Sequence, residues 1–378
     1  KMGTTQQQPP QKEQEPTQTL TLELKTPSDS DTELRPIFIT GNFNGWSTSD
    51  ERFKMQKISK GHFIFSFPKD VTLPQTLEYK YVRGDWEHQE LDVLGEMIVN
   101  RVITSPQQMR IVSDVVLRWM SYGLSFTPQF LPKKQLISDA FFIPSLGKYR
   151  RVRVLLPHDY QQQATKYYPV LYLNDGQNLA DARSAYGNWA IDQKMAVLSE
   201  QNKLDFIVVM IEHGGMDRIR EYTPTDEQGK NYMRFLVEVL KPHMDKSFRT
   251  KSAPAFTGIG GSSLGGLISL YTGLQYPTIF GRWMVFSPSL WVMNGANLHL
   301  PMYETMDSIR VYLYGGGQEG ANMLPNLRRA KKQLENQDFK NKKFKINLSI
   351  DPKGQHTETR WGQEFTKAVE WLFQTTPV

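Results

Sequence analysis

A serine flanked by glycines is the side chain of this sequence best suited to nucleophilic chemistry. The stretch 259–268 reads IGGSSLGGLI, and residues 261–265 match GxSxG, a turn in which a strand passes abruptly into a helix and exposes the central serine hydroxyl. Ser263 is therefore a candidate nucleophile, and small neighbours are required because such a turn has a strained backbone. Only three positions of the motif are fixed, so close packing of a helix on a sheet would also explain it.

A histidine that acts as base must follow such a serine, on a loop after a later strand. Of the seven histidines, only His299 and His356 follow Ser263. His356 comes just after the strand-like segment 344–350 and just before an amphipathic helical pattern. His299 lies in a polar stretch that no strand-like segment precedes. We therefore expect His356 to be the base.

The acid must lie between this serine and this histidine in the chain, where six carboxylates occur. Only Glu319 follows a strand-like segment, 310–314, through a glycine-rich turn. Such a turn lets the backbone bend sharply and direct the next side chain at the imidazole. Asp351 is the alternative acid, but its closeness in sequence to His356 suits a turn residue better. We expect Glu319 to be the acid.

The negative charge that develops on an attacked carbonyl needs two backbone N–H donors, one of them on the residue after the nucleophile. That residue is Leu264. The second donor comes from a loop after an early strand, and the polar residues 174–178 follow the strand-like segment 169–173. The amide of Gly176 or of Gln177 would supply it, although these residues could equally form an ordinary polar turn.

The second half of the chain alternates strand-like and helix-like segments, as a doubly wound, mostly parallel sheet requires. The three candidate catalytic residues each fall at the carboxyl end of a predicted strand, where open parallel sheets place their sites. This order predicts an α/β-hydrolase fold. Its predicted strands are 140–143, 151–156, 170–173, 206–211, 255–260, 283–286, 311–314 and 344–350, and its predicted helices 189–200, 232–245, 264–275 and 324–335.

Five stretches of the second half match motifs of one enzyme family. They read YPVLYLNDGQN at 168–178, REYTP at 220–224, GSSLGGL at 261–267, FSPSLW at 286–291 and GQH at 354–356, with Trp361 beyond. Residues 135–378 thereby resemble the esterase family that includes feruloyl and acetylxylan esterases, esterase D and enterochelin esterases. The resemblance implies a serine carboxylic-ester hydrolase in which Ser263 is the nucleophile, Glu319 the orienting acid and His356 the base. The family often has methionine in place of Leu264 and asparagine in place of Thr357, and neither difference removes a catalytic group.

Aromatic residues on the predicted loops are candidates for substrate contact. Trp189, Tyr222 and Trp291 could line the pocket and hold an aromatic acyl group or a sugar, although packing of the loops explains each of them equally well. The chain has no cysteine and no histidine spacing typical of a metal site, so we expect neither a metal nor another cofactor.

The composition of the chain argues against nucleic acid as a partner and against a membrane-spanning helix. The net charge of +6 does not indicate nucleic acid, because basic and acidic residues are interleaved along the chain. No apolar run approaches the ~20 residues of a membrane-spanning helix.

Residues 1–18 are rich in Gln, Pro, Thr and Glu and predict a disordered tether, similar to the segment after the lipidated cysteine of bacterial lipoproteins. We therefore expect an exported bacterial protein, periplasmic or lipid-anchored at the cell surface. A cytoplasmic location and the oligomeric state stay open.

Residues 19–118 alternate apolar and polar positions in short runs, which predicts a small all-β, immunoglobulin-like sandwich. Its sequences GNFNGW at 41–46 and YKYVRGDW at 79–86 resemble starch- and glycogen-type carbohydrate-binding modules. Flat aromatic rings bury the C–H face of a sugar, so Trp86 and then Trp46 are candidate glycan contacts. For Trp46, a position in the core is the better explanation. For Trp86, sugar contact and a structural role are equally good explanations. Such a module could also serve only to dock on the enzyme.

Residues 119–134 are the predicted linker and 135–378 the predicted hydrolase domain. The predicted reaction is ester hydrolysis through an acyl-enzyme, on a glycan-linked ester such as a feruloyl or acetyl group of a plant polysaccharide. The alternatives are an esterase for a non-glycan ester, such as a siderophore or an acylated metabolite, and a catalytically silent glycan-binding or scaffold protein.

Overall fold

The structure, a computed structural model, describes residues 19–27, 35–108, 111–293, 308–337 and 344–374. The packing of Cα atoms divides the chain into two units that separate between Ser125 and Phe126. The predicted tether, 1–18, and the alternative base His299 lie outside the described residues. Within the ranges just given, no helix has both the length and the apolar character needed to cross a membrane.

Strands and single-turn 3-10 helices form the described regular structure of the first unit. Its strands are β1 Thr21–Lys25, β2 Phe38–Gly41, β3 Gln56–Ser59, β4 His62–Ser66, β5 Thr76–Val82, β6 Glu90–Leu91, β7 Arg101–Thr104, β8 Ile111–Val115 and β9 Arg118–Trp119. They form the sheets β3-β4-β1-β8, β2-β5-β7 and β6-β9. Alternate residues of the two larger sheets point into one shared apolar cluster, which includes Leu22, Phe65, Leu77 and Tyr79. The immunoglobulin-like character of this unit stays a prediction.

The second unit is built on one eight-stranded sheet. Its strands are β10 Lys133–Ile143, β11 Lys148–Leu156, β12 Val170–Leu173, β13 Ile207–Ile211, β14 Thr257–Ser262, β15 Arg282–Phe286, β16 Ile309–Gly316 and β17 Phe344–Asp351. Their order is β10-β11-β13-β12-β14-β15-β16-β17. The pairs β10/β11 and β11/β13 are antiparallel, and every pair from β13 to β17 is parallel. The predicted mostly parallel sheet is confirmed.

Helices cover both faces of this sheet. They are α1 Ile191–Glu200, α2 Arg218–Glu221, α3 Glu227–Phe235, α4 Lys241–Ser247, α5 Leu264–Gln275, α6 Met323–Gln337 and α7 Glu358–Phe373. The side chains of β12 show that both faces of the sheet are apolar and must be buried. Val170 and Tyr172 belong to the apolar cluster that also contains residues of α3, α5 and α6, whereas Leu171 and Leu173 belong to the cluster that contains residues of α1 and α7. A central strand of this kind is buried on both sides.

Two segments differ from the prediction. The helix expected over 232–245 is divided into α3, the π-helical turn Leu236–Leu240 and α4. Pro242 explains the division, because it has no N–H to donate to an earlier carbonyl. The predicted linker, 119–134, is paired at both ends. Trp119 pairs with Glu90 in β6, and Lys133 pairs with Leu156 in β11.

Candidate active site

Ser263 occupies the turn between β14 and α5 in a backbone conformation that is rare for a residue with a side chain. Its φ is +58° and its ψ is −124°, which costs about 1–3 kcal/mol. Two hydrogen bonds hold it there: Ser263 N–H donates to the Phe286 carbonyl at 3.0 Å, and Ser289 N–H donates to the Ser263 carbonyl at 3.1 Å. The strained turn expected of a nucleophile-bearing motif is therefore present.

The two glycines of the motif stand where a side chain would meet close neighbours, backbone atoms at Gly261 and a side chain at Gly265. A Cβ on Gly261 would lie 2.8 Å from the carbonyl group of Gly265, and a Cβ on Gly265 would lie 2.9 Å from a carboxylate oxygen of Asp175. Real Cβ atoms essentially never come so close to other atoms. The first turn of α5 can therefore pack against β14 only with glycine at 261, and any side chain at 265 would displace the Asp175 carboxylate.

Glu319 and His356 lie together at the ends of β16 and β17. His356 Nδ1 is 3.1 Å from Glu319 Oε1. The Glu319 side chain is fully buried, whereas about 41% of the His356 side chain is exposed. A carboxylate beside Nδ1 favours the tautomer that carries its proton there, which leaves Nε2 free to accept a proton.

Two further donors hold the Glu319 carboxylate. Gly316 N–H donates to Oε2 at 2.8 Å, and the Ser287 hydroxyl donates to Oε1 at 2.7 Å. The hydroxyl must be the donor because an ionised carboxylate only accepts, and the same Ser287 Oγ accepts from the Trp361 indole N–H at 2.9 Å. Trp361 also packs edge-on against the His356 ring, with centroids 4.7 Å apart. Sequence reasoning assigned no role to Ser287, and its place in the FSPSLW stretch was the one available signal.

Ser263 and His356 line the same cleft without a hydrogen bond between them. Both side chains border each of two cavities, of about 400 and 510 Å³. Ser263 Oγ lies 3.3 Å from Ser289 Oγ, and among the described residues no hydrogen bond joins it to His356. Catalytic hydrogen bonds are often long in the absence of substrate and shorten when it binds. The cleft thus holds a serine, an imidazole and a buried carboxylate, and their catalytic roles stay a prediction.

The candidate oxyanion donors lie on two rigid segments. Leu264 is the first residue of α5, so its N–H has no acceptor within the helix. Asp175, with φ +57°, turns the chain into the short 3-10 helix Gly176–Asn178. The Gln177 side-chain amide fixes that loop, because it donates to the His213 carbonyl at 3.2 Å and accepts from the His213 N–H at 3.0 Å. Among the described residues, the N–H groups of Gly176 and Gln177 have no acceptor.

The structure corrects two of the three predicted pocket residues. Trp189 is 2% exposed and stacks on Phe286 in the core beneath the cleft. Tyr222 is fully buried, and its hydroxyl accepts from the Asp175 N–H at 3.3 Å. Both side chains pack into apolar clusters instead of facing a ligand, so the prediction that they line the pocket is wrong. Trp291 is 67% exposed and borders the smaller cavity.

Asp351, the alternative acid, has another partner. Its carboxylate accepts from Arg360 Nε at 2.8 Å and from the Lys353 N–H at 3.0 Å. Arg360 also donates to Glu364 at 2.9 Å, which joins the loop after β17 to helix α7. The hydrogen bond from Arg360 holds the pKa of Asp351 below its usual range. Asp351 is therefore a turn residue that anchors the histidine loop.

The larger cavity contains charged groups at its base. Arg218 makes two 2.8 Å hydrogen bonds to the carboxylate of Asp175. Burial raises the pKa of the nearby Glu358 carboxyl and lowers the pKa of His213. No group of three or more His, Cys, Asp or Glu side chains in the described part of the chain is arranged to hold a metal ion.

The two candidate glycan contacts of the first unit lie together. The rings of Trp46 and Trp86 have centroids 6.4 Å apart and are inclined by 40°. Trp86 is 41% exposed and Trp46 is half-buried. Trp46 has a φ of +60°, which places it in the tight turn after β2.

Comparison with known proteins settles the class of this site. Residues 143–372, more than half of the chain, match the sequence model of the family described as "Putative esterase". The chain belongs to this esterase family. It is accordingly a carboxylic ester hydrolase, as the sequence motifs predicted. The strained serine and the His356–Glu319 pair lie within the matched residues.

Three curated proteins show similarity of different extent. Over 242 residues, the chain is 27% identical to the uncharacterized protein YbbA of Bacillus subtilis (strain 168), covering 59% of this chain and 92% of that protein. Over 154 residues, it is 25% identical to the endo-1,4-beta-xylanase/feruloyl esterase of Xylanibacter ruminicola, covering 39% of this chain and 20% of that protein. Over 84 residues, it is 31% identical to the alpha-amylase of Niallia circulans, covering 22% of this chain and 6% of that protein.

Among solved structures, enterochelin esterase from Shigella flexneri is similar with a TM-score of 0.50 and 16% sequence identity. The similarity covers 94% of this chain and 92% of that one. At this identity it shows a shared fold and no more.

Proposed function

We propose that this esterase cleaves a glycan-linked ester through a covalent intermediate on Ser263. The observation that carries the proposal is the pairing of His356 with the buried Glu319 at the cleft that also contains the strained Ser263. In this arrangement an imidazole fixed by a carboxylate can take the proton of a serine hydroxyl.

The reaction proceeds in two halves. His356 Nε2 accepts the Ser263 proton while Oγ bonds to the ester carbonyl carbon, and the carbonyl oxygen becomes an anion that the Leu264 amide and the Gly176 or Gln177 amide stabilise. The imidazolium then gives its proton to the departing alcohol as the C–O bond breaks. Water, deprotonated by His356, attacks the acyl-enzyme. The bond between the acyl carbon and Ser263 Oγ then breaks, the acid leaves, and the imidazolium returns its proton to Oγ. Glu319 holds the imidazole in one tautomer and stabilises its charged form.

The glycan part of the proposal draws support from the relatives and from the first unit. The Xylanibacter relative combines a xylanase with a feruloyl esterase, and the alpha-amylase of Niallia circulans is by its name an enzyme of glycan breakdown. A substrate attached to a polysaccharide would suit a chain whose first unit resembles carbohydrate-binding modules in sequence.

Hydrolysis of a small set of esters tests this function. Initial rates on p-nitrophenyl acetate, methyl ferulate and acetylated xylan would be measured for the parent, for Ser263→Ala and for the control Ser145→Ala, whose hydroxyl donates to the Asn231 carbonyl. We expect Ser263→Ala to lose at least ~1,000-fold in kcat and the control to match the parent. Equal rates for the parent and Ser263→Ala would contradict the proposal. Activity confined to small esters would contradict its glycan part.

A second function, glycan binding by the first unit, is favoured by the Trp46–Trp86 pair. Two adjacent indoles, one of them 41% exposed, offer apolar faces that a sugar ring can cover. A pull-down with insoluble starch and xylan would compare the parent with Trp86→Ala and Trp46→Ala. Retention of the parent together with loss of both variants supports the function. Equal retention of all three proteins removes it.

A further inference from the structure

The two cavities of the cleft share only Ser263 and His356 among the residues that the structure describes. An ester whose carbonyl lies at Ser263 therefore extends one half into each cavity. The smaller cavity is bordered by Trp291, by the neutral side chains Asn322 and Asn326, and by Glu319, which is paired with His356. The larger cavity has a different chemical character, which limits what its half of the substrate can be.

Large apolar side chains form the rim of the larger cavity. Tyr186 is 72% exposed, Met216 99% and Ile219 65%, and all three border this cavity. Exposed apolar side chains gathered at one place mark a site that an apolar group covers. The group that enters here is therefore apolar over part of its surface.

Two carboxylates of the larger cavity, Asp175 and Glu358, share one arginine, Arg218. The two hydrogen bonds between Arg218 and Asp175 neutralise that pair. Glu358 also borders the cavity, at the start of α7, where its carboxylate accepts from its own backbone N–H and, within the described ranges, forms no direct ion pair. Burial makes its charged form costly, and this raises its pKa. The positive groups that act on Glu358 are His356 and Arg218, and together with the backbone N–H they lower its pKa less than burial raises it.

We propose that the larger cavity receives an uncharged, hydroxyl-bearing apolar half of the ester, and that Glu358 selects it. The carboxylate accepts a hydrogen bond from the hydroxyl, a type of bond that is strengthened by the charge. The same carboxylate repels an anionic group in a partly buried site, where the repulsion is only weakly screened. This inference rests on the proposed esterase function, since it assigns a specificity-determining residue to that reaction.

Matched esters that differ at one substituent test the selection. The acyl series is methyl 3-phenylpropanoate with hydrogen, hydroxyl or carboxylate at the para position of the ring. The mirrored alcohol series is 2-phenylethyl acetate with the same three substituents. The parent, Glu358→Gln and Glu358→Ala would be compared by kcat/KM. The control Glu370→Gln makes the same charge change on the same helix, ~18 Å along its axis, where Glu370 pairs with Lys203.

In the series whose variable half enters the larger cavity, we expect the parent to prefer hydroxyl over hydrogen and hydrogen over carboxylate. Glu358→Gln should raise the carboxylate-to-hydrogen ratio at least tenfold, and Glu358→Ala should also lower the hydroxyl-to-hydrogen ratio about tenfold. The control should keep the ratios of the parent. Unchanged ratios for both Glu358 variants in both series would overturn the inference.

Labelling of Ser263 by a fluorophosphonate separates this failure from a failure of the proposed function. Variants that are labelled but keep unchanged ratios would contradict the role of Glu358 and leave the proposed esterase function standing. A folded parent that is neither labelled nor active would remove the proposed function, and this inference with it.

Discussion

The carboxylate of Glu319 is the most constrained side chain of the site. It accepts from His356, from the Gly316 N–H and from the Ser287 hydroxyl. Trp361 donates to the same hydroxyl and holds it in place, while the single serine proton goes to the carboxylate, which can only accept. Trp361 thereby acts on His356 both through this chain of bonds and through direct ring contact. We interpret Ser287 and Trp361 as positioning residues.

At the residue scale, we expect Ser287→Ala to lower kcat about tenfold with little change in KM, because the substrate does not touch this hydroxyl. Trp361→Phe, which keeps an aromatic ring beside His356 but removes the N–H, should cause a smaller loss of the same kind. Steady-state kinetics and thermal unfolding would be measured together. A matching rise in KM, or a loss of activity that only follows a loss of folded protein, would contradict a positioning role.

The loops that carry the catalytic candidates are fixed by contacts at the ends of the sheet. Arg360 at the start of α7 joins Asp351 at the end of β17 to Glu364 on the helix, and His356 lies between these contacts in the chain. The hydrogen bond from Arg360 lowers the pKa of Asp351. A carboxyl whose folded-state pKa is lowered contributes stability above its unfolded pKa and loses it as the pH falls through the folded value.

At the element scale, we therefore expect Asp351→Asn to lower the free energy of unfolding at pH 7 by about 1 kcal/mol or less, since the pair is partly exposed to solvent. The difference from the parent should shrink as the pH falls below about 4. Urea unfolding at a series of pH values would measure it. In an Arg360→Met background the same substitution should have almost no effect. A difference that persists unchanged to pH 2 would contradict this account.

Sequence patterns predicted elements well where local chemistry determines them. The strand 170–173 and the helix 264–275 agree with β12 and α5 at both ends, because a fully apolar run and a glycine turn mark them. The edge strand β10 begins at Lys133, seven residues before the predicted 140, because its exposed residues do not alternate regularly in polarity. Burial of Trp189 and the bond from Trp361 to Ser287, 74 residues apart, depend on tertiary packing that no local pattern reveals.

The whole molecule combines two units with separate apolar clusters. The sequence indicated this division through a change from alternating strand patterns to strand–helix repeats. The boundary itself depends on long-range pairing, such as that of Trp119 with Glu90, and so could not be located from composition. If the first unit holds a polysaccharide while the second cleaves esters, the two activities should respond to different substitutions.

At the whole-molecule scale, we expect Trp86→Ala combined with Trp46→Ala to leave kcat/KM on p-nitrophenyl acetate unchanged. The same protein should release acid from insoluble acetylated xylan several-fold more slowly, because local substrate concentration falls when the chain no longer stays on the polymer. Release of acetate and hydrolysis of the soluble ester would be followed in parallel. Equal losses on both substrates would contradict separate roles for the two units.

The central claim is that the fold makes one serine hydroxyl reactive. Its most direct measurement is mass spectrometry of peptides after treatment with a fluorophosphonate, for the parent, Ser263→Ala and His356→Ala. We predict one modified residue in the parent, Ser263, with no labelling in Ser263→Ala and strongly slowed labelling in His356→Ala. A folded parent that remains unmodified at Ser263, or labels as fast without the imidazole as with it, would contradict the account.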